Sequence, residues 1–370
     1  MTERMADAPG GEEGGGAAGS PMVREDGTYE THPLRAPRVA IGIVQTPVRA
    51  VDGDNPEPGI RDNLAYLLNA IDKAQQTGGR CDLLCFHEFP LHGFAPWDLK
   101  QMLRVSRHPD GPEIAEIGKK AKQYNCYIAL GCQMLDDDWP GHTMNTQLLI
   151  GPDGRLRARH WKQRNMRGMW PGVEQFTTTI YDVWDRYVEM YGLDAVIPVE
   201  RTDIGNISMS SVQFEPELFR CMALKGAELI LRTATGGCEW EDMRLTSYHN
   251  DVFTTIVNNC IDVHRENPHY FVEQAPKNNW VGRSAIFGPR GVVLAEADKF
   301  ETKRRAVIDL EAYRRTHRIP DVHLSIYRHV FNAYRERYDP NLWLAHVPET
   351  RAAAAAYLRD KFRWTSAWQG

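Results

Sequence analysis

Residues 205–232 read GNISMSSVQFEPELFRCMALKGAELILR. The run begins as a short strand, turns near Ser210, Ser211 and Val212, opens a helix at Pro216, and ends in a second strand, AELILR. A strand, a turn, a helix and a strand in that order form the repeating unit of layered α/β folds, which build their active sites at strand ends. The polar residues at this turn are therefore the first candidates for chemistry.

The same alternation extends outward. Order is expected to begin at the β-rich run RVAIGIVQT, Arg38 to Thr46. NLAYLLNAIDKAQ places Leu64, Leu67, Leu68 and Ile71 on one helical face. CDLLCFHEF is a short apolar strand ending in Glu88, PEIAEIGKKAKQYN is a helix with Pro112 near its start, and CYIALGCQ is a strand. NTQLLIGPDGRLRARHWK forms a hairpin through the turn at 152–154, and GRSAIFGPRGVVLAEA forms another around Pro289–Gly291. A long irregular stretch precedes Gly205, a helix is expected from about Glu241 to Asn259, HYFVEQA is expected as a strand, and RRAVIDL adds one more. Hairpins among alternating helices and strands imply mixed sheets. No internal repeat is evident.

Composition sets the limits. The chain has 370 residues, 42% hydrophobic and 25% charged, with a net charge of −5. That suits a large globular core and argues against nucleic acid as a partner. Seven cysteines lie scattered in apolar runs, as reduced buried thiols do, and no zinc-like spacing accompanies Cys81 and Cys85. No apolar run is long enough to span a membrane and no signal core opens the chain, so a cytoplasmic home is expected. Residues 1–36, rich in Gly, Ala, Glu and Pro, are expected as a disordered or partner-ordered arm. Residues 37–315 form the α/β domain. Residues 316–370, with many aromatics and arginines and then an alanine-rich helix, are expected to pack on the core or on a neighbouring subunit.

Three polar sites stand at strand ends: Glu88, Lys162 and the pair Ser210–Ser211. A carboxylate and an ammonium meeting in a partly buried site hold each other charged. The carboxylate can take a proton from a nucleophile, and the ammonium can stabilise an oxyanion. Ordinary roles compete with each assignment. A lone Glu at a strand end is often a cap, Lys162 lies in a basic run, and the two serines suit a turn. Cys221 and Cys260 read as core thiols.

Taken together, these pieces resemble the nitrilase, or carbon–nitrogen hydrolase, superfamily, most closely its aliphatic amidase and formamidase branch. CDLLCFHEFPLHGF matches the strand carrying that family's glutamate and PDGRLRARHWKQRN the hairpin carrying its lysine. PELFRCMALKGAELILR matches the helix and strand after its nucleophile, and HLSIYRHVFNAY resembles the amidase extension. The resemblance implies a four-layer α-β-β-α sandwich, with subunits pairing through helices near 216–226 and 241–259. It implies hydrolysis of a small amide or nitrile-like compound without a cofactor or metal, with Glu88 as acid and base and Lys162 as oxyanion holder.

The nucleophile departs from the pattern. The family's cysteine falls on Ser210 when counted back from Pro216 and on Val212 when counted forward from Ile207, with Ser211 between. None is cysteine. His87 replaces the usual Pro, and Arg167 stands where a second glutamate is expected, with Glu174 shortly after. Four readings stay open: a binding or scaffold subunit that has lost hydrolysis, a serine nucleophile, a serine substituted for a natural cysteine, and different chemistry in which Arg167 binds an anion. The expected site is Glu88, Lys162 and Ser211, with Arg167, Trp170, Ser210 and Val212 contacting substrate. Met169 and Trp240 are further residues able to fill or line the pocket.

Overall fold

The structure, a computed structural model, describes residues 24–165, 176–235, 240–261 and 281–363. Arg167, Met169, Trp170, Glu174, Cys238 and the expected strand at 269–275 lie outside those residues.

Two mixed sheets stack face to face. The first runs β13–β1–β2–β3–β4–β5, with β6 (Thr177–Thr178) pairing β4. Its strands are β1 (Arg38–Gln45), β2 (Leu83–Cys85), β3 (Tyr127–Met134), β4 (Thr143–Ile150), β5 (Leu156–Trp161) and β13 (Thr302–Asp309). The second runs β12–β11–β10–β9–β8–β7. It comprises β7 (Glu200–Thr202), β8 (Gly205–Ser210), β9 (Leu229–Thr233), β10 (Phe253–Val257), β11 (Ala285–Gly288) and β12 (Val292–Glu296). In both, two parallel pairings are flanked by one antiparallel pairing on one side and two on the other. The two sheets thus repeat one strand pattern that is not evident from the residues.

The side-chain alternation of β-strands explains the layering. From β1, Val39, Ile41 and Ile43 point between the sheets and meet Ile207 and Met209 of β8 and Leu229 and Leu231 of β9. Val44, Leu84 and Phe86 point outward, where α1 (Pro56–Gln76) and α3 (Pro112–Tyr124) cover them with Leu67, Ile71, Ile114 and Ile117. On the other side α5 (Pro216–Leu224) and α6 (Trp240–Asn250) cover Ile230, Ile256 and Phe287 with Phe219, Met222 and Met243. The result is the expected α-β-β-α sandwich.

Three segments differ from expectation. The helix expected over 241–259 ends at Asn250, and Phe253–Val257 is a strand parallel to β9. The β-branched run TTIV favours extended backbone, and burial of all five strand residues secures it. The stretch before Gly205 is not all irregular, for it contains α4 (Trp184–Tyr191). The expected N-terminal arm is too long: by Tyr29 the chain already lies on the domain. Tyr29 is buried against Gly226 and donates its hydroxyl to Glu228 Oε1 at 3.0 Å. Arg35 pairs with Asp203 at 2.7 Å. An aromatic anchor and an ion pair give this polar segment the contacts that composition alone does not disclose.

Beyond α7 (Leu310–Thr316) and α8 (Arg328–Ala333) the chain returns to its own domain through α9 (Arg351–Lys361). Tyr338, Leu342, Trp343 and Leu358 are buried with Trp139, Trp161, Ile180, Val183 and Tyr187. Among the described residues no helix is long and apolar enough to cross a membrane.

Candidate active site

Glu88 comes three residues after β2, Lys162 immediately after β5, and Ser211 immediately after β8. Two strands come from one sheet and one from the other, so only their stacking can bring the three ends together. Gly131 on β3 makes room for the first: a Cβ there would lie 2.4 Å from the Glu88 carbonyl oxygen and 2.7 Å from its Cα. Any side chain would push the Glu88 segment away.

Glu88 and Lys162 form a buried ion pair, Nζ to Oε1 at 3.6 Å, with side chains 7% and 3% exposed. Asn145 on β4 joins them. Its Nδ2 donates to Glu88 Oε1 at 2.5 Å, and its carbonyl oxygen accepts from the Lys162 amide at 2.8 Å. Gln147 Nε2 donates to Asn145 Oδ1 at 3.0 Å and so sets the amide's orientation. Asn145 and Gln147 escaped the reading of the sequence. The available signal is two amides at alternate positions leading into the apolar run LLI, since buried polar side chains need partners.

The elbow is tied to both sheets. The Ser210 hydroxyl donates to Gln163 Oε1 at 2.8 Å and accepts from the Val212 amide at 3.0 Å. Gln163 follows Lys162, so this bond ties the end of β8 to the end of β5. His160 supports the same junction by accepting from the Met209 amide at 3.0 Å. Burial holds His160 neutral, its pKa pushed down to about 4. Across the sheet, the Glu88 amide donates to Ala234 just beyond β9, and β9 pairs Arg232 with Ser210.

The three elbow residues occupy different environments. Ser210 is fully buried with its hydroxyl engaged. Val212 is fully buried in the apolar cluster with Leu218, Phe219 and Ile230. Ser211 is 5% exposed, and its hydroxyl has no hydrogen-bond partner among the described residues. A buried hydroxyl without a partner is costly, and in this Ser211 differs from Ser210. The turn closes through Phe214, a non-glycine residue at φ 56° whose amide donates to Asp242 Oδ2 at 3.1 Å. That left-handed backbone is sparsely populated and is held by its surroundings. Arg232, 1% exposed, lies behind the turn, donating to Gln213 at 2.6 Å with Asp242 3.8 Å away.

Five of the described thiols are held protonated by their surroundings. Burial raises the pKa of Cys81, Cys85, Cys126, Cys132 and Cys221, with Cys126 pushed up to about 11 and Cys132 to about 12. A nucleophilic thiol needs the opposite shift. Trp240 packs edge-on against Phe287 at 4.9 Å on α6, an ordinary core role. Among the described residues no cluster of His, Cys, Asp or Glu is arranged to hold a metal.

A family model described as carbon–nitrogen hydrolase matches residues 41–318. The deaminated glutathione amidase of Yersinia enterocolitica is 28% identical over 148 residues, 37% of this chain and 48% of that protein. The chain thus spans about half the length of that relative. Omega-amidase NIT2 of Xenopus tropicalis is 25% identical over 259 residues, 68% of this chain and 84% of the relative. Among solved structures, an amidase from Nesterenkonia sp. superposes with a TM-score of 0.56 at 16% identity, over 79% of this chain and 96% of the other.

Proposed function

This chain belongs to the carbon–nitrogen hydrolase family, and from there we propose that it hydrolyses a non-peptide C–N bond in a small amide or related compound. Glu88, Lys162 and Ser211 are the proposed catalytic residues. The Ser211 oxygen attacks the amide carbon while its proton passes to Glu88. The carbonyl becomes an oxyanion facing the Lys162 ammonium. Glu88 returns the proton to the leaving nitrogen and ammonia departs. Water, deprotonated by Glu88, then attacks the serine ester, and Glu88 returns that proton to the departing Ser211 oxygen as the acid is freed. The observation that carries this reading is the buried Glu88–Lys162 pair, bridged by Asn145, together with an elbow serine whose hydroxyl has no hydrogen-bond partner among the described residues. Amidase relatives support the substrate class.

Ser210 serves as the brace of the elbow in this reading, and Val212 as the apolar floor behind it. Arg167 and Trp170 are proposed to contact substrate. The test is ammonia release from a panel of short amides and nitriles, run on this chain, Ser211→Cys and Glu88→Gln. Release that disappears in Glu88→Gln supports the hydrolase.

A second reading has its own support. A serine hydroxyl is scarcely ionised at neutral pH and needs strong activation, yet Ser211 makes no hydrogen bond to Glu88 or Lys162. On this view the chain is a small-molecule binding or scaffold subunit. Silence in all three proteins, including Ser211→Cys, would favour it.

A cytoplasmic homo-oligomer built from dimers is also proposed. Free thiols at Cys81, Cys85, Cys126, Cys132 and Cys221 suit a reducing compartment. Exposed Ile326, Val330 and Phe331 near α8, and Leu245 and Tyr248 on α6, give apolar faces suited to subunit contact. Light scattering during size-exclusion chromatography measures the assembly, and a monomer at micromolar concentration would rule it out.

A further inference from the structure

A cavity of about 550 Å³ opens beside the elbow. Its walls come from five places in the chain: Gln163 and Asn165 after the lysine, Tyr181 and Trp184 before and on α4, Val196, Phe214 and Glu215 at the elbow, and Tyr334 and Tyr338 from the C-terminal segment. Gln163 belongs to both the cavity and the elbow. Its Oε1 accepts from Ser210 at 2.8 Å while its Nε2 donates to the carbonyl of Val196, another wall residue, at 3.3 Å. One side-chain amide therefore ties a wall of the cavity to the elbow.

Its chemistry is specific. Tyr181, Trp184, Phe214, Tyr334 and Tyr338 supply five aromatic walls. The charges are balanced: Arg164 is ion-paired with Glu215, and Glu336 and Arg337 are of opposite sign. The Tyr181 hydroxyl donates to the Tyr338 carbonyl at 3.1 Å, fixing the C-terminal wall to the domain. Pockets of about 300–1,000 Å³ with apolar aromatic walls enclose most of a ligand's surface. A two- or three-carbon amide would leave most of such a volume unfilled.

We infer that this cavity takes an uncharged aromatic group at the far end of the substrate's acyl chain, so that the preferred substrate is an arylalkyl amide rather than a short aliphatic one. The inference rests on the hydrolase reading for the word substrate, but the binding it describes does not require turnover. The C-terminal segment, beyond its packing role, becomes the determinant of acyl-group size.

The experiment is a pair of titrations followed by tryptophan fluorescence, with propionamide and 3-phenylpropionamide, in parallel with ammonia release from each. The phenyl compound is expected to bind about tenfold or more tightly, as burial of a ring predicts. Tyr334→Ala, which removes a wall, and Val196→Phe, which fills the cavity, should both reduce that ratio while melting temperatures report that the variants remain folded. Equal affinity for the two amides, or a ratio unchanged in both folded variants, overturns the inference. Preference in binding without ammonia release leaves the cavity assignment standing and removes the hydrolase reading. Ammonia release without the preference does the reverse.

Discussion

Lys162 Nζ stands 3.6 Å from Glu88 Oε1, and neither side chain is more than 7% exposed. A pair this deeply buried gains little over an apolar replacement, but breaking it from one side leaves a stranded charge. Lys162→Met or Glu88→Ala alone is expected to cost about 3–5 kcal/mol, and the double variant less than the sum. Urea denaturation of the four proteins measures the coupling; strictly additive losses would show that the two charges do not support each other.

The two elbow serines should separate cleanly. Ser210→Ala removes the bond to Gln163 and the acceptor for the Val212 amide, and is expected to destabilise by about 1–3 kcal/mol. Ser211→Ala removes a hydroxyl with no such bonds and should stay within about 0.5 kcal/mol of the parent, while abolishing ammonia release. Equal destabilisation by both would contradict the division of roles.

Asn145 holds the proposed base and meets the backbone of the proposed oxyanion holder. Asn145→Asp places a second carboxylate against Glu88, a like-charge contact in a buried site. Its ammonia release should fall by at least about tenfold, and Asn145→Ala should be less severe because it adds no charge. Turnover at the parent rate in both would show that Glu88 needs no such support.

Acid should weaken the fold through two buried histidines. His92 donates Nδ1–H to the Gly93 carbonyl and accepts the Gln133 amide at Nε2, and burial pushes its pKa down to about 3. His160 is pushed down to about 4. Both pKa values are lowered on folding, so the unfolded chain binds the extra protons, and stability is complete above about pH 6.5 and falls as pH drops toward 4 and 3. Melting temperatures from pH 8 to pH 4 should show the decline begin near 6.5. His160→Gln should flatten it partly, and an unchanged slope would exclude His160 from the effect.

The C-terminal segment belongs to the stability of the single chain. Trp343 is fully buried and stacks on Tyr357 at 5.5 Å. Trp343→Ala should cost about 3–5 kcal/mol, read by denaturation at concentrations low enough to dissociate any oligomer. A loss below about 1 kcal/mol would mean that the segment is secured elsewhere.

What the residues themselves determined was local and periodic. Alternation in the GNISM run, the turn at 152–154 and the proline at 216 each set a strand, hairpin or helix start within a few residues, and Glu88, Lys162 and Ser211 were identifiable as strand-end polar groups. The stretch 253–257 was misread as helix because a short apolar run has no intrinsic period, and its pairing with β9 decided it. Tyr29 falls in the stretch expected as a disordered or partner-ordered arm because its partner, Glu228, is 199 residues away. The tertiary structure alone decided that Asn145 bridges Glu88 and Lys162, that Ser210 is engaged while Ser211 has no hydrogen-bond partner among the described residues, and that the C-terminal segment walls a cavity beside the elbow. Each of these depends on which strand ends meet when two sheets stack, and distance in space between remote residues leaves no mark on the order of the chain.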